Sequence, residues 1–394
     1  MCENYYNQGE ENVMKKALAF ILALAMIFSL AACGSPSSSG DTGSSDNTGT
    51  SDNGSSEETK TYSLTVSGIN GSINFTPVYI AMENGFFEDA NLDIDTILFD
   101  NGPVQMEALA SNSWDLGLTG VGGVLSGLIS YDALLVGATN SDNGTQTIWA
   151  RNDSAIVAAG AGNNTVSDQI IGDADSWRGT TVLCNSGTVL EYLLIKTLEG
   201  FDLTIGDVSV ITMDAPTANS AFLAGQGDLS VITGAISFAA DKADYTMVSC
   251  GNWADTGLMC NIVANRDSYE DPDTYEAMKI FMEVYWQTIQ WMSENPDEAA
   301  QMCSDFNAEC GITLTPETAT LYLQQDPYYD LETVYNMMHD QSDAGDYSVM
   351  EQKLLGVLDF FIGSGKYSAG DDQKLLNHLD TTLMDDVFAA QSAG

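Results

Sequence analysis

Positive charge is scarce in this chain. Its 394 residues hold 12 Lys and Arg against 56 Asp and Glu, a formal net charge of -44. Nucleic acids are bound mainly through Lys and Arg, so a nucleic-acid partner is excluded. Adhesion to anionic lipid through a polybasic patch is excluded for the same reason. Histidine is scarcer still: His339 and His378 complete the set. Two His leave little material for a zinc cluster or a proton relay, and no metal or cofactor is expected. Apolar residues are plentiful at 44%. That is enough for packed cores and too much for a chain disordered throughout. The length suits two domains or one large one.

The first apolar run is too short to cross a membrane. Met14-Lys15-Lys16 opens it, and the 14 residues Ala17 to Leu30 are apolar apart from Ser29. A spanning helix needs about 20, so the run reads as the apolar part of a signal peptide. It ends in Leu30-Ala31-Ala32-Cys33-Gly34. That string resembles the bacterial lipobox, which implies lipidation of Cys33 as the mature N-terminus. Residues 1–13 carry Glu3, Glu10 and Glu11 where a signal peptide wants positive charge, so Met14 is expected to be the true start. Residues 1–33 are therefore leader and lipobox. Cys33–Gly394 would hold 10 basic and 53 acidic residues, a charge of -43.

Residues 34–61 are Ser, Gly, Asp, Thr and Asn with almost nothing apolar. Burial there cannot offset the entropy of ordering. The segment is expected to be a flexible tether spanning on the order of 30 Å. An exported globular protein, lipid-anchored on the extracytoplasmic face of the cell membrane, is the first functional deduction. Beyond the leader, Cys184, Cys250, Cys260, Cys303 and Cys310 remain. Export permits disulfides, an odd count leaves at least one thiol over, and Cys303/Cys310 and Cys250/Cys260 are the local pairings to test. Their spacings match no zinc template.

Strand and helix patterns alternate from Thr61 to about Ala264. Strands are expected at Tyr62–Val66, Leu92–Leu98, Trp114–Leu118, Ala133–Ala138, Thr181–Cys184, Val208–Met213, Leu229–Ile232 and Tyr245–Ser249. Helices fall between them, several opened by Pro. Such alternation implies parallel sheets covered by helices. Pro103, Ala108, Asp115 and Leu116 recur 113 residues later as Pro216, Ala221, Asp228 and Leu229, which suggests two similar α/β lobes. After Arg266 the pattern is helical, with apolar stripes such as Met278, Phe281, Met282, Tyr285 and Ile289 that read as packing faces.

Pro77 to Ala90 with Gly85-Phe86-Phe87, followed by Asn91-Leu92-Asp93-Ile94, resembles the opening of solute-binding proteins for nitrate, sulfonates, taurine and the pyrimidine precursor of thiamine. Asn91 stands where that family usually has Gly. Gly102–Ala110 with Trp114-Asp115-Leu116-Gly117 is similar to its next helix and strand, with Asn112 in place of another Gly. Trp291–Ala300, and Asp359-Phe360-Phe361 with Gly365-Lys366, look like its C-terminal helices. The resemblance spans about Thr61 to Gln391. It implies an α/β type 2 periplasmic-binding-protein fold, with two lobes, a hinge and an interlobe cleft. Lobe 1 would be residues 62–151 and 266–394, and lobe 2 residues 152–265. It also implies a small-molecule ligand, an ABC-transporter permease as partner, and a monomer.

In open α/β sheets ligands bind beyond the carboxyl ends of the strands. That rule selects Asn70 and Phe75, Thr119 and Gly120, Asn140, Asn185-Ser186-Gly187-Thr188, Asp214 and Trp253 as candidate ligand contacts. Thr119-Gly120 and Asn185–Thr188 precede helices, where free N–H groups accept an anion or a polar oxygen; ordinary capping gives the same pattern. Phe75 and Trp253 either stack on the cargo or pack in a core. Asp214 either faces the cleft, favouring an amine, or caps the helix begun at Pro216. No Lys or Arg lies in these loops, the nearest being Arg151 and Arg178. The balance leans to a neutral or zwitterionic nitrogen compound.

An enzyme is the main alternative, and a tethered ligand sensor the third reading. The chain has no G-x-S-x-G, H-E-x-x-H or G-x-G-x-x-G, and Gly365-Lys366 lacks the surroundings of a phosphate loop. No catalytic residue is assigned.

Overall fold

The computed structural model describes residues 60–239, 244–343 and 345–393. The leader, Cys33 and the tether up to residue 59 lie outside the described residues. Ten strands among these residues form two sheets of five. The first holds β1 (Tyr62–Ile69), β2 (Leu92–Phe99), β3 (Leu116–Gly120), β4 (Leu134–Ser141) and β10 (Met259–Ala264), in the order β2-β1-β3-β10-β4. The second holds β5 (Thr147–Arg151), β6 (Thr181–Cys184), β7 (Ser209–Thr212), β8 (Leu229–Ile232) and β9 (Tyr245–Cys250), in the order β7-β6-β8-β5-β9. The two orders are the same pattern. In each sheet the strand fourth in line is antiparallel to both neighbours.

Those antiparallel strands are the two that cross. β5 leaves the first half to pair in the second sheet, and β10 returns to the first. Neither was read as a strand from the sequence. Sheet membership therefore differs from the expected lobe limits of 62–151, 152–265 and 266–394: β5 joins the second half and β10 the first. Fully buried strands such as β10, with all six residues buried, carry no alternation to mark them.

The 113-residue repeat has a physical cause. Asp115 Oδ2 accepts from the Thr65 N–H at 2.8 Å, and Asp228 Oδ2 accepts from the Thr181 N–H at 2.8 Å. Each carboxylate, just before its own strand begins, ties the backbone of the neighbouring parallel strand. Asn91 and Asn112, standing where the resembled family has Gly, take left-handed backbone at φ 56° and 48°, which Asn tolerates better than most residues.

Each half has its own core. The first gathers Val66, Trp114, Leu118 and Val136 with Met278, Phe281 and Tyr285 from the helix Pro272–Glu294. The second gathers Ile148, Trp177, Val182, Leu194 and Val231. The stripe read as a packing face is thus largely core, with Ile289 partly buried against it. The five cysteines beyond the leader are unpaired thiols, so the pairings Cys303/Cys310 and Cys250/Cys260 are not made. Burial pushes the Cys303 thiol up to about 11.

Candidate functional site

The segments that join the halves lie side by side. The Asp142 N–H donates to Leu258 O at 3.1 Å, and the Gly251 N–H to Gln146 O at 3.0 Å. Asn143 Oδ1 accepts from the Leu258 N–H and from Thr256 Oγ1, both at 2.7 Å. From the other side Asp326, which follows the helix Pro316–Gln325, accepts from the Gly144 N–H at 2.7 Å and from Thr145 Oγ1. Backbone that changes sheet is thereby tied at its centre.

A cavity of about 310 Å³ opens between the sheets, next to these crossings. The first half lines it with Gly71–Ile73 beyond β1, Asp100–Pro103 beyond β2 and Gly120–Gly123 beyond β3. The second half lines it with Thr188, Val189, Thr233 and Gly234. All of these lie at the carboxyl ends of parallel strands, where the rule places ligands. Asp142 and Gln146 enter from the first crossing, and Lys366 from the C-terminal region.

The helix Val121–Ser130 starts in this cavity, and no side chain caps it. Its first N–H groups and positive dipole end face the opening, suited to a polar oxygen. The approach is close because glycine allows it: a Cβ on Gly123 would lie 2.1 Å from Thr119 Oγ1 and 3.1 Å from Gly102 Cα. The helix Val189–Glu199 also starts here, but Thr188 caps it by accepting from the Leu190 N–H. Lys366 Nζ donates to Gly187 O at 2.9 Å, and burial lowers its pKa. Phe360, on the helix Val349–Gly363, packs on Tyr192 of the second half at 5.0 Å between ring centroids.

Gly120 and Thr188 are the two expected contact residues that line the cavity. Asn185, Ser186 and Gly187 stand beside Thr188 but serve the turn. Asn185 O accepts from Thr188 Oγ1, Ser186 Oγ accepts from Thr212 Oγ1, and the Gly187 N–H donates to Glu191. Thr119 is buried beneath the Gly123 contact. The others go elsewhere. Asn70 donates to Asp100 and faces a separate pocket with Phe75. Phe75 is 3% exposed and stacks on Phe306 at 5.8 Å, so it is core. Asn140 is buried and bonded to Ser141 O under the chain at Tyr328. Asp214 caps its helix by accepting from the Thr217 N–H at 2.8 Å, and that bond lowers its pKa. Trp253 packs against the second core. Arg151 is bound to the carbonyls of Phe222, Gln226 and Gly227, and Arg178 pairs with Asp207.

Sequence reading missed Asp142, Gln146 and Lys366. The polar run Asn140–Gly144 between two strands was the available signal for the first. Burial pushes the Asp142 carboxyl up, reinforced by the nearby Asp326 carboxylate and opposed by its bond from Gln146. Burial also raises Asp326, against the pull of Thr145 and Gly144. Among the described residues no cluster suited to a metal ion occurs, and no helix is long and apolar enough to cross a membrane.

Two lobes with matching sheet orders, and a cavity between them at the strand ends, pose the question of kinship. Residues 72–159 match the family described as NMT1/THI5 like. A protein of Brachyspira hyodysenteriae named as an ABC transporter periplasmic binding protein is 22% identical over 72% of this chain and 81% of its own length. A protein of Bacillus subtilis named as an aliphatic sulfonates-binding protein is 27% identical over 64% of this chain and 72% of its own. The crystal structure of the periplasmic aliphatic sulphonate binding protein from Escherichia coli superposes with a TM-score of 0.61 at 18% identity, covering 80% of this chain and 92% of that one. The chain therefore has the periplasmic-binding-protein fold. These relatives are named as binding proteins rather than as enzymes.

Proposed function

We propose that this chain captures a small molecule in the interlobe cavity and delivers it unaltered to the permease of an ABC importer. It does so as a monomer held to the extracytoplasmic face of the membrane by lipid on Cys33. The observation that carries this reading is the cavity itself, lined from both halves and flanked by the uncapped start of Val121–Ser130. The lobes would close about residues 142–146 and 251–258, the two stretches between the sheets. Relatives named for aliphatic sulfonates suggest cargo with a strongly polar, oxygen-bearing end. That end suits an open helix start better than a surface of net charge -44. Surface carboxylates beyond about 8 Å are screened in physiological salt, so local groups decide.

The test uses the chain from Gly34 onward, calorimetry against a panel of aliphatic sulfonates, and small-angle scattering. A bound sulfonate is expected to reduce the radius of gyration, as hinge closure requires. Tight binding with no change in radius, or chemical conversion of the bound compound, would retire the reading. Separately, Cys33→Ser is expected to release the full chain from the membrane fraction in a lipoprotein-processing bacterium. Retention of the variant on membranes would remove the anchor.

A further inference from the structure

A non-covalent bridge joins the halves beside the two crossings. It starts in the helix Val349–Gly363, which the first core holds through Met350, Leu354, Leu358 and Phe361. Lys353 of that helix lies at the second crossing, its Nζ 3.9 Å from the position a Cβ would take on Gly257. Phe360 stands about 10 Å further along the helix axis. There its ring meets Tyr192 of the second half, with 5.0 Å between centroids. Tyr192 is 8% exposed and belongs to the first core, although its helix Val189–Glu199 packs in the second; Val189 lies against the first core too. The helix Val349–Gly363 then turns at a left-handed Gly365, φ 80°. The Gly365 N–H donates to Ile362 O at 3.0 Å and the Lys366 N–H to Phe361 O at 3.0 Å, the bond pair of a Schellman turn. That turn folds Lys366 back. Its Nζ lies 4.7 Å over the Phe361 ring and donates to Gly187 O of the second half at 2.9 Å. Lys60, Lys196 and Lys279 pair with carboxylates. Lys366 instead gives its charge to a carbonyl of the other half, in a chain with 56 acidic residues.

Resting on the reading that the halves move about the two crossings, we propose that Phe360 and Lys366 form a latch that engages Tyr192 and the Gly187 carbonyl. The crossings fix where the halves are joined; the latch biases how far they part. A helix rooted in the first core cannot follow the second half when that half swings away. Opening therefore exposes the facing rings of Phe360 and Tyr192 and breaks the Lys366 bond. These side chains set an added cost of opening, and the open and closed populations follow it. Every atom of the latch belongs to the protein, so it acts on all cargo alike. A compound that binds only the closed form is bound in proportion to the closed fraction. The latch thus tunes affinity without selecting among compounds, and it must break for release.

The experiment is small-angle scattering on the chain from Gly34 onward, with no cargo added. Phe360→Ala and Lys366→Met are each expected to enlarge the radius of gyration. The ratio of open to closed molecules should rise roughly two- to tenfold, the factor that one such ring pair or hydrogen bond is worth. Phe360→Leu, which keeps apolar bulk, should fall between Phe360→Ala and the wild type. Lys366→Met removes one ammonium and leaves both cores intact, so it reports even if Phe360→Ala destabilises the first half. Equal radii for the wild type and both variants overturn the latch. If ethanesulfonate still shrinks the wild type in that case, the capture reading stands; if it does not, both fall. Calorimetry with ethanesulfonate and with butanesulfonate supplies a second readout. Both variants are expected to weaken the two compounds by one common factor. A loss confined to one compound would make Phe360 or Lys366 a cargo contact and overturn the latch.

Discussion

Gly144→Ala is expected to lower the melting temperature by roughly 3–5 °C, about 3 kcal/mol for a chain of this size. A Cβ at this position would lie 2.1 Å from Gln325 O and 2.7 Å from its carbonyl carbon. Backbone cannot swing aside as the end of a long side chain can. The neighbouring bonds would be displaced with it, because the Gly144 N–H and Thr145 Oγ1 both donate to the buried Asp326 carboxylate. Overpacking in a tight core costs about 1–3 kcal/mol by itself, and a loosened acceptor adds to that. Differential scanning calorimetry checks the outcome. A loss below about 1 kcal/mol would mean that the first crossing is not pinned as described.

Asp142→Asn has the opposite expected sign, and the sign depends on pH. In the folded chain burial and Asp326 push the Asp142 carboxyl up to about 8, whereas in the unfolded chain it sits near 4. Below about pH 4 both states hold the proton and the group contributes no slope. Between about 4 and 8 the folded state holds a proton that the unfolded state releases, so this group makes stability fall as pH rises. Above about 8 the loss is complete. The full shift would amount to roughly 5 kcal/mol. Asp142 is partly exposed and shares its field with Asp326, so we expect about 2 kcal/mol. The variant should therefore match the wild type near pH 4 and melt about 2–4 °C higher at pH 8. Equal melting temperatures at pH 8 would show that the folded protein ionises Asp142 freely.

Much of the architecture was legible because it is local. Pro216 and Asp214 mark a helix start that a short carboxylate can cap, and the structure places both there. Asp115 and Asp228 recur because each ties the backbone of a neighbouring parallel strand. The helical pattern read after Arg266 is present as the helices Pro272–Glu294, Pro296–Glu309 and Pro316–Gln325. Other signals were ambiguous in kind. Phe75 sits in a loop at a strand end, where an exposed ring would stack on cargo. Only the presence of Phe306, far along the chain, makes it core. Asn140 has the right position for a contact residue, but the chain at Tyr328 lies over it.

The sequence by itself determined the export signal as an expectation, the α/β alternation, the doubled lobe and the scarcity of cations. Each is written in residue types at short spacing, where propensity, capping and patterning act. Tertiary structure alone decided what the cavity is made of. β5 and β10 change sheets, which brings Asp142 and Gln146 to the opening between the halves. Lys366 meets Gly187 across 179 residues of chain. Such encounters depend on which hydrophobic faces bury against each other, and no local pattern encodes them. The charge of a binding corner is therefore set by folding rather than by the composition of the chain.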